Sequence, residues 1–366
     1  MRAARRRRPG LRGGVSVLVA YLSGHGFGHL TRTCAVLGEV RALAPGLQLQ
    51  VAGQVPEALV RRALPGPVAL RPVACDVGLA QRDALRIDEE ETAARCRAFD
   101  AGWEDRVRAE AAFLRSSGAR AVLADVPALP FAAAARAGLP ALGLANFGWD
   151  WIYRHLATRQ PSLLASAERA ASAYREAALL LELPFAGDLS AFPRRAPVGL
   201  VARRPRIARD DARRRLGLDG RPVVLLSFGG IGLPGLDRTA LSEGGDFQVL
   251  LPADLSTGRL DALGLDYPDV VGAADAVVTK PGYGIVSDAI GAGARLVYTD
   301  RGDFPEYPVL VREMPRWLAC AFVSNQDLLA GRIGGALRRV LELPVPALPE
   351  LGGAGRAAER ILAALG

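Results

Sequence analysis

Val15-Ser16-Val17-Leu18-Val19-Ala20-Tyr21-Leu22-Ser23-Gly24-His25-Gly26-Phe27-Gly28-His29 is the stretch whose reading decides the fold. A short apolar, β-branched run from Val15 to Tyr21 ends in glycines and two histidines. Leu30, Cys34, Leu37 and Val40 then recur at helical spacing. Strand, glycine loop, helix is the first unit of a parallel sheet with crossover helices. A loop in that place sits at the carboxyl end of a strand, where the first N–H groups of the helix point outward and glycine lets a ligand come close.

Two features argue against a dinucleotide site. The sixth position of the loop is His29, not glycine, and the second strand, with Leu47, Leu49 and Val51 alternating, runs into Gly53-Gln54 without an acid for a ribose. The loop offers imidazoles instead, which titrate near neutral pH and can take a proton from a hydroxyl. His29 is the candidate base, with His25 beside it; the same histidines also read as caps of a glycine-rich helix start. Asp125, at the end of the run Ala121 to Asp125, falls on the same sheet edge, where its carboxylate can orient an imidazole or cap the next helix.

Outward from this loop the rhythm continues. Val68 to Val73 is a weaker third strand, and Thr92 to Ser117 reads as one long amphipathic helix carrying Phe99, Trp103, Val107 and Leu114. Ala121 to Asp125, Pro130 to Ala137 and Ala141 to Ala145 repeat strand, helix, strand, and a helix from Leu163 to Ala178 leads into a strand from Leu179 to Leu183. Prolines and arginines dominate from Pro184 to Arg221, marking a connection with one strand, Val198 to Val201, and a short helix. The rhythm restarts with Val223 to Phe228, Phe247 to Leu251, Ala276 to Thr279, Arg295 to Thr299 and Cys320 to Val323, with helices at about 283–292, 306–316 and 325–341. A final amphipathic helix spans Ala357 to Leu365. The expected architecture is α/β: two doubly wound, Rossmann-like parallel-sheet domains over 15–200 and 201–345 facing each other across a cleft. A basic tail, 1–14, precedes them, and a linker and helix, 346–366, pack on the domains.

Composition narrows the function classes. The net charge of +8 suggests nucleic acid, but Arg2, Arg5, Arg6, Arg7, Arg8 and Arg12 lie in the first residues, which leaves +2 for the rest. That block reads as a solvated tail or a tether for acidic lipid. No stretch approaches the roughly 20 apolar residues that span a bilayer, so a cytoplasmic protein with at most peripheral membrane contact is expected. Cys34, Cys75, Cys96 and Cys320 lack close spacing and read as reduced thiols. There is no Asp-x-Asp triplet, so the chemistry is expected to run without a metal, with helix N-termini and cations neutralising charge.

Phe147-Gly148-Trp149-Asp150-Trp151 closes another strand at the same edge, and its aromatic faces and the Asp150 carboxylate suit a sugar or other acceptor; packing between domains is the competing reading. In the second half Ser227-Phe228-Gly229-Gly230 follows an apolar strand and exposes N–H groups in the manner of a phosphate site. Thr279-Lys280-Pro281-Gly282-Tyr283-Gly284 leads into a helix bearing Ser287 and Asp288, and a later strand ends near Asp300, Asp303 and Glu306. Lys280 is the only lysine, which favours a use for a compact ammonium, phosphate contact above all.

Three stretches, Ser23 to Arg32, Asp125 to Arg154 and Asp269 to Leu310, resemble the glycosyltransferase-like N-terminal half of L-arabinokinases and their free-standing bacterial relatives. More distantly the chain is similar to the N-acetylglucosaminyltransferase of peptidoglycan lipid synthesis and to plant UDP-sugar transferases. The resemblance implies the GT-B fold, with His29 as base, Asp288 in place of the acid, usually Glu, that binds the nucleotide ribose, and Glu306 in the segment that meets the donor sugar. Asp288 is one methylene shorter than the usual acid. No glycine-rich kinase phosphate loop follows residue 345, so arabinokinase activity is not expected.

Together these readings describe an inverting transferase. A nucleotide diphosphate sugar, UDP-linked, is its co-substrate, held by Gly229, Gly230, Lys280, Gly282, Tyr283, Gly284, Ser287, Asp288 and Glu306. A small-molecule or lipid-linked acceptor lies on the side of His25, Arg32, Phe147, Trp149 and Asp150. No metal or other cofactor is expected. A silent nucleotide-sugar sensor and a nucleotide-sugar epimerase are the alternatives on the same scaffold.

Overall fold

The structure is a computed structural model that describes residues 16–83, 85–229, 233, 235–243 and 246–365. The basic tail and Gly230 lie outside them.

The first half carries β1 (Val17–Leu22), α1 (Phe27–Leu43), β2 (Gln48–Ala52), α2 (Glu57–Ala63), β3 (Ala69–Arg71), α3 (Glu89–Ala101), α4 (Trp103–Ser116), β4 (Ala119–Asp125), α5 (Leu129–Ala137), β5 (Ala141–Ala145), α6 (Trp149–Leu156), α7 (Leu163–Tyr174), β6 (Leu179–Glu182) and β7 (Arg195–Pro197). Its sheet has the order β3-β2-β1-β4-β5-β6-β7, and every pairing is parallel. β1 is buried along its whole length because helices cover both faces of the sheet.

The second half carries α8 (Arg209–Leu216), β8 (Val223–Ser227), α9 (Arg238–Glu243), β9 (Gln248–Leu250), α10 (Thr257–Ala262), α11 (Tyr267–Ala273), β10 (Ala276–Thr279), α12 (Tyr283–Ala292), β11 (Arg295–Tyr298), α13 (Glu306–Glu313), β12 (Cys320–Phe322), α14 (Asn325–Leu329), α15 (Gly334–Glu342) and α16 (Gly353–Leu365). Its sheet order is β12-β11-β10-β8-β9, again parallel. α16 returns to pack on α1, and one apolar cluster runs from Leu18 and Leu37 through Val223 and Val286 to Ile361, joining the halves.

Strand order decides where a ligand can sit. β1 lies between β2 and β4, so the chain leaves it first to one side and later to the other; β8 lies in the same way between β9 and β10. Crevices open at such switch points, outside the carboxyl ends of the strands. Leu22 pairs with Asp125 and Ser227 with Thr279, so these crevices are edged by the residues that follow them.

Several expectations are corrected. The helix expected from Thr92 to Ser117 is two helices, because Gly102 (φ −100°, ψ 14°) ends α3 and starts α4. The helix expected over 325–341 likewise breaks at Gly331, whose φ of 71° is left-handed. The segment Val198 to Val201 is buried but not a strand; the strand is Arg195–Pro197, at the edge of the first sheet. The aromatic run after β5 divides: Phe147 and Gly148 link the strand to α6, and Trp149 to Trp151 form the first turn of that helix. Helices α2, α9, α10 and α11 are short, with weak periodicity, and escape a pattern-based reading.

Candidate active site

α1 begins at Gly26 (φ 83°), a conformation only glycine takes easily, and no side chain caps it. His29, two residues into the helix, therefore stands beside unsatisfied N–H groups at the switch point of the first sheet. Its Nδ1 lies 2.8 Å from Asp125 Oδ1. Arg32, one helical turn on, donates from Nε to Asp125 Oδ2 at 2.7 Å and from Nη2 to Oδ1 at 2.5 Å, and the Thr33 hydroxyl donates to Oδ2 at 2.7 Å. All four side chains are buried.

Burial alone would raise the Asp125 carboxyl, but the charge of Arg32 and the bonds from Arg32 and His29 hold it down at about 2. An ionised Asp125 accepts and cannot donate, so Nδ1 of His29 carries the proton and Nε2 is the basic nitrogen. Arg32 Nη2 also comes within 3.1 Å of Nδ1, yet its proton has the shorter, charged acceptor in Asp125. Phe147 meets the His29 ring edge-on at 5.7 Å.

The two histidines of the loop differ. His25 accepts from the Leu79 N–H at 3.3 Å and meets Trp149 edge-on at 5.4 Å. Burial, then the neighbouring His29 and the cations Arg301 and Lys280, lowers it to about 3, so it stays neutral. It is a wall of the site.

The aromatic run does not offer a sugar platform. Trp149 is 1% exposed, stacks on Tyr153 at 5.6 Å and donates from its indole N–H to Asp76 Oδ2 at 2.8 Å. Asp150 is also buried, at the first turn of α6, and its carboxyl is raised to about 6 by burial. Of the residues expected on the acceptor side, Arg32 and Phe147 touch His29 directly, His25 and Trp149 line the wall behind, and Asp150 is packed away from solvent.

On the facing sheet α12 starts at Gly282, in extended backbone and without a side-chain cap. Lys280 is half-buried beside it. Burial, then the like charge of Arg301, brings its ammonium down to about 8, with Asp83 acting the other way. Gly229, with φ 71° and open space around its Cα, presents backbone at the end of β8. The loops meet directly: a Cβ on Gly284 would lie 3.0 Å from the Cα of Gly28.

The remaining donor-side candidates hold other partners. Tyr283 lies under the Arg32 guanidinium, 4.9 Å from its ring centre, and its hydroxyl accepts from the Val201 N–H at 3.1 Å. Ser287 donates to Gly284 O at 2.9 Å. Asp288 is paired with Arg203, from the connection between the halves, through both carboxylate oxygens. Glu306 accepts from Asn146 Nδ2 at 2.8 Å through one oxygen and from Arg301 Nη1 at 2.8 Å through the other.

Sequence reading passed over three residues of this site. Asn146 and Arg301 stand beside the chosen motifs and carry no spacing signal. Asp76, whose carboxyl burial pushes up, lies on an irregular segment after β3. Among the described residues no group of three His, Cys, Asp or Glu is placed to hold a metal ion. No helix among them is long and apolar enough to cross a membrane.

No family model matches the chain. It is 31% identical over 348 residues to the L-arabinokinase of Arabidopsis thaliana, an alignment that covers 89% of this chain and 32% of that protein. The chain thus spans about a third of the length of this curated relative. Among solved structures, a glycotransferase of kitacinnamycin superposes with TM-score 0.61 at 17% identity, covering 96% of this chain and 99% of that one. A UDP-glucosyltransferase from Polygonum tinctorium, capable of glucosylating indoxyl, gives 0.60 at 14% identity, with 97% and 99% covered. UGT71G1 of Medicago truncatula, complexed with UDP-glucose, gives 0.59 at 12% identity, with 96% and 99% covered.

The fold is GT-B. In GT-B terms the two switch points described above are the two walls of the interdomain cleft, with His29 on one and the α12 glycine loop on the other. The cleft is closed along the Gly28 to Gly284 line.

Proposed function

We propose that this chain transfers a sugar from a nucleotide diphosphate donor to an acceptor hydroxyl, with inversion and without a metal. The observation that carries the reading is the pair His29 and Asp125, a buried imidazole whose Nδ1 lies 2.8 Å from a carboxylate oxygen, set against an uncapped glycine-started helix across the cleft. In this reading His29 Nε2 takes the proton of the acceptor hydroxyl as that oxygen attacks the anomeric carbon. The bond to the donor phosphate breaks, and the leaving diphosphate is received by the N–H groups at Gly282 to Gly284, by Gly229 and by the Lys280 ammonium. Asp125 keeps the imidazole oriented and stabilises its protonated form.

The likeness to a UDP-glucosyltransferase and to a structure complexed with UDP-glucose supports a UDP-linked donor. The expected ribose contact at Asp288 would require that carboxylate to share or release Arg203. The second reading is a nucleotide-sugar sensor that keeps the cleft but does not turn over; it needs the same release of Asp288 from Arg203. A thermal-shift panel of nucleoside diphosphates and their sugars tests both: at 100 times its dissociation constant a true ligand adds about 2.7 kcal/mol of stability. A shift with UDP followed by sugar transfer supports the transferase, a shift without transfer or hydrolysis supports the sensor, and no shift with any nucleotide removes both.

A further inference from the structure

A chain of side-chain hydrogen bonds runs through the closed cleft from one domain to the other. It starts at Asp125, gripped at two points by Arg32. The remaining terminal nitrogen of Arg32, Nη1, donates to Asn146 Oδ1 at 2.8 Å. Asn146 Nδ2 donates across the cleft to Glu306 Oε1 at 2.8 Å. Glu306 Oε2 accepts from Arg301 Nη1 at 2.8 Å, and the same nitrogen lies 3.1 Å from Pro281 O, at the foot of the α12 glycine loop. Arg32, Asp125, Asn146 and Glu306 are each less than a tenth exposed. The amide of Asn146 cannot be reversed, since a flip would set its N–H groups against Arg32 and its oxygen against Glu306.

We propose that Asn146 is a positioning residue that couples closure of the cleft to the orientation of His29 through Arg32 and Asp125. The proposal rests on the transferase reading above. The ion pairs between the domains, among the described residues, lie at the rim and touch neither His29 nor Asp125. Arg62 pairs with Asp261 and Asp266, and His155 and Arg159 pair with Asp303, all with both partners at least partly exposed. Tyr283 of α12 lies under the Arg32 guanidinium and Gly284 against Gly28, but these are packing contacts; the directed hydrogen bond that leads from the second domain to Arg32 and Asp125 is the one from Asn146 to Glu306. Separating the domains by about 1 Å takes that bond beyond hydrogen-bonding distance, and leaves a buried amide and a buried carboxylate each short of a partner. Asn146 then loses the partner that fixes the plane of its amide, so the oxygen that anchors Arg32 Nη1 can turn, and Arg32 and the Asp125 carboxylate can turn with it. The base is thereby assembled when the donor domain is seated.

The arrangement predicts a rescue. Asn146→Asp sets a second carboxylate against Glu306, and like charges at that distance push the domains apart. Adding Glu306→Gln restores every bond with the donor direction inverted: Arg32 still has an oxygen to bind, the new carboxamide donates back across the cleft, and its oxygen still accepts from Arg301.

The test measures transfer kinetics and small-angle X-ray scattering on the full chain, with UDP as the added nucleotide in scattering. Asn146→Asp is expected to lower kcat by about 10²-fold with less change in KM for the donor, and to enlarge the radius of gyration with and without UDP. The double variant is expected to return kcat to within about tenfold of the unaltered chain and to restore the compact scattering profile. A double variant no better than Asn146→Asp in both measurements overturns the coupling, as does an Asn146→Asp chain that stays closed and active. If Asn146→Asp fails to fold, Asn146→Ala replaces it, with the same expected split between kcat and KM, and an unchanged split overturns the proposal. If the unaltered chain transfers no sugar at all, the transferase reading fails by itself, and scattering of the three chains still decides the coupling.

Discussion

The loop after β1 and the loop after β10 hold equivalent places, each at a switch point and each opening a helix on an uncapped glycine, yet they are built differently. The first is a side-chain site: His29, Arg32 and Thr33, from the first turns of α1, converge on the Asp125 carboxylate at the end of β4. The second is a backbone site: Gly229, Gly282 and Gly284 expose main chain, and Lys280 stands beside them as a single point charge. The contrast teaches a division of labour. A proton acceptor needs a tuned, oriented side chain, which costs a buried charge network, whereas a diphosphate needs many weak donors, which a helix start supplies without side chains.

The comparison can be broken most severely at Asp125. Asp125→Asn leaves the Arg32 guanidinium buried without its counter-charge, and denaturant unfolding should show a loss of about 3 to 5 kcal/mol. Acid titration should show the same dependence in the unaltered protein. The Asp125 carboxyl is depressed to about 2, so its stabilising contribution is whole above the ordinary carboxylate value near 3.8 and is lost as pH falls through about 2. A pH–stability profile for Asp125→Asn that follows that of the unaltered chain over this range would deny the network its weight.

His29→Ala removes the base and leaves the Asp125 and Arg32 pair in place. Transfer should fall by about 10² to 10⁴-fold with little change in melting temperature, and full turnover with the true acceptor would remove the assignment.

The backbone loop is broken by Gly284→Ala. Ala favours the helix by up to about 1 kcal/mol over Gly, so folding should hold, but the new Cβ meets Gly28 Cα at 3.0 Å and forces the walls apart. Transfer should drop about tenfold, and an unaffected rate would show that the walls need not touch.

The smallest effect sharpens the contrast at Lys280. Its ammonium, brought down to about 8, is charged below that pH and neutral above it. UDP binding measured by calorimetry should weaken by up to about tenfold between pH 7 and pH 9, while Lys280→Arg, charged throughout, should show a flat profile. Equal slopes in the two proteins would take the phosphate contact away from this residue.

Much of the fold was legible because it rests on local pattern. Ala141 to Ala145, Ala276 to Thr279 and the helix over 283–292 lie where apolar runs and helical spacing put them. Val198 to Val201 misled because burial in an irregular connection looks like burial in a strand, and Thr92 to Ser117 misled because amphipathic spacing continues on both sides of Gly102. At the site, the glycine loops and His29 announced themselves by composition at strand ends, and Asp125 by its place at the end of β4. The roles of Asn146, Arg301 and Asp76 did not, since their partners lie on other elements and no spacing encodes them. Trp149 could be read as exposed or buried until Tyr153 and Asp76 were seen to occupy its face and its N–H.

The sequence by itself therefore determined two parallel sheets, the strand ends where ligands can approach, and the residue types able to move a proton or hold a phosphate, because each follows from periodicity and chemistry within a few residues. Tertiary structure alone decided which of His25 and His29 has a carboxylate partner, which acids are already paired, and that the two domains are joined through Asn146. Hydrogen bonds between residues 96, 114 and 160 positions apart depend on distances that only the packed sheets set.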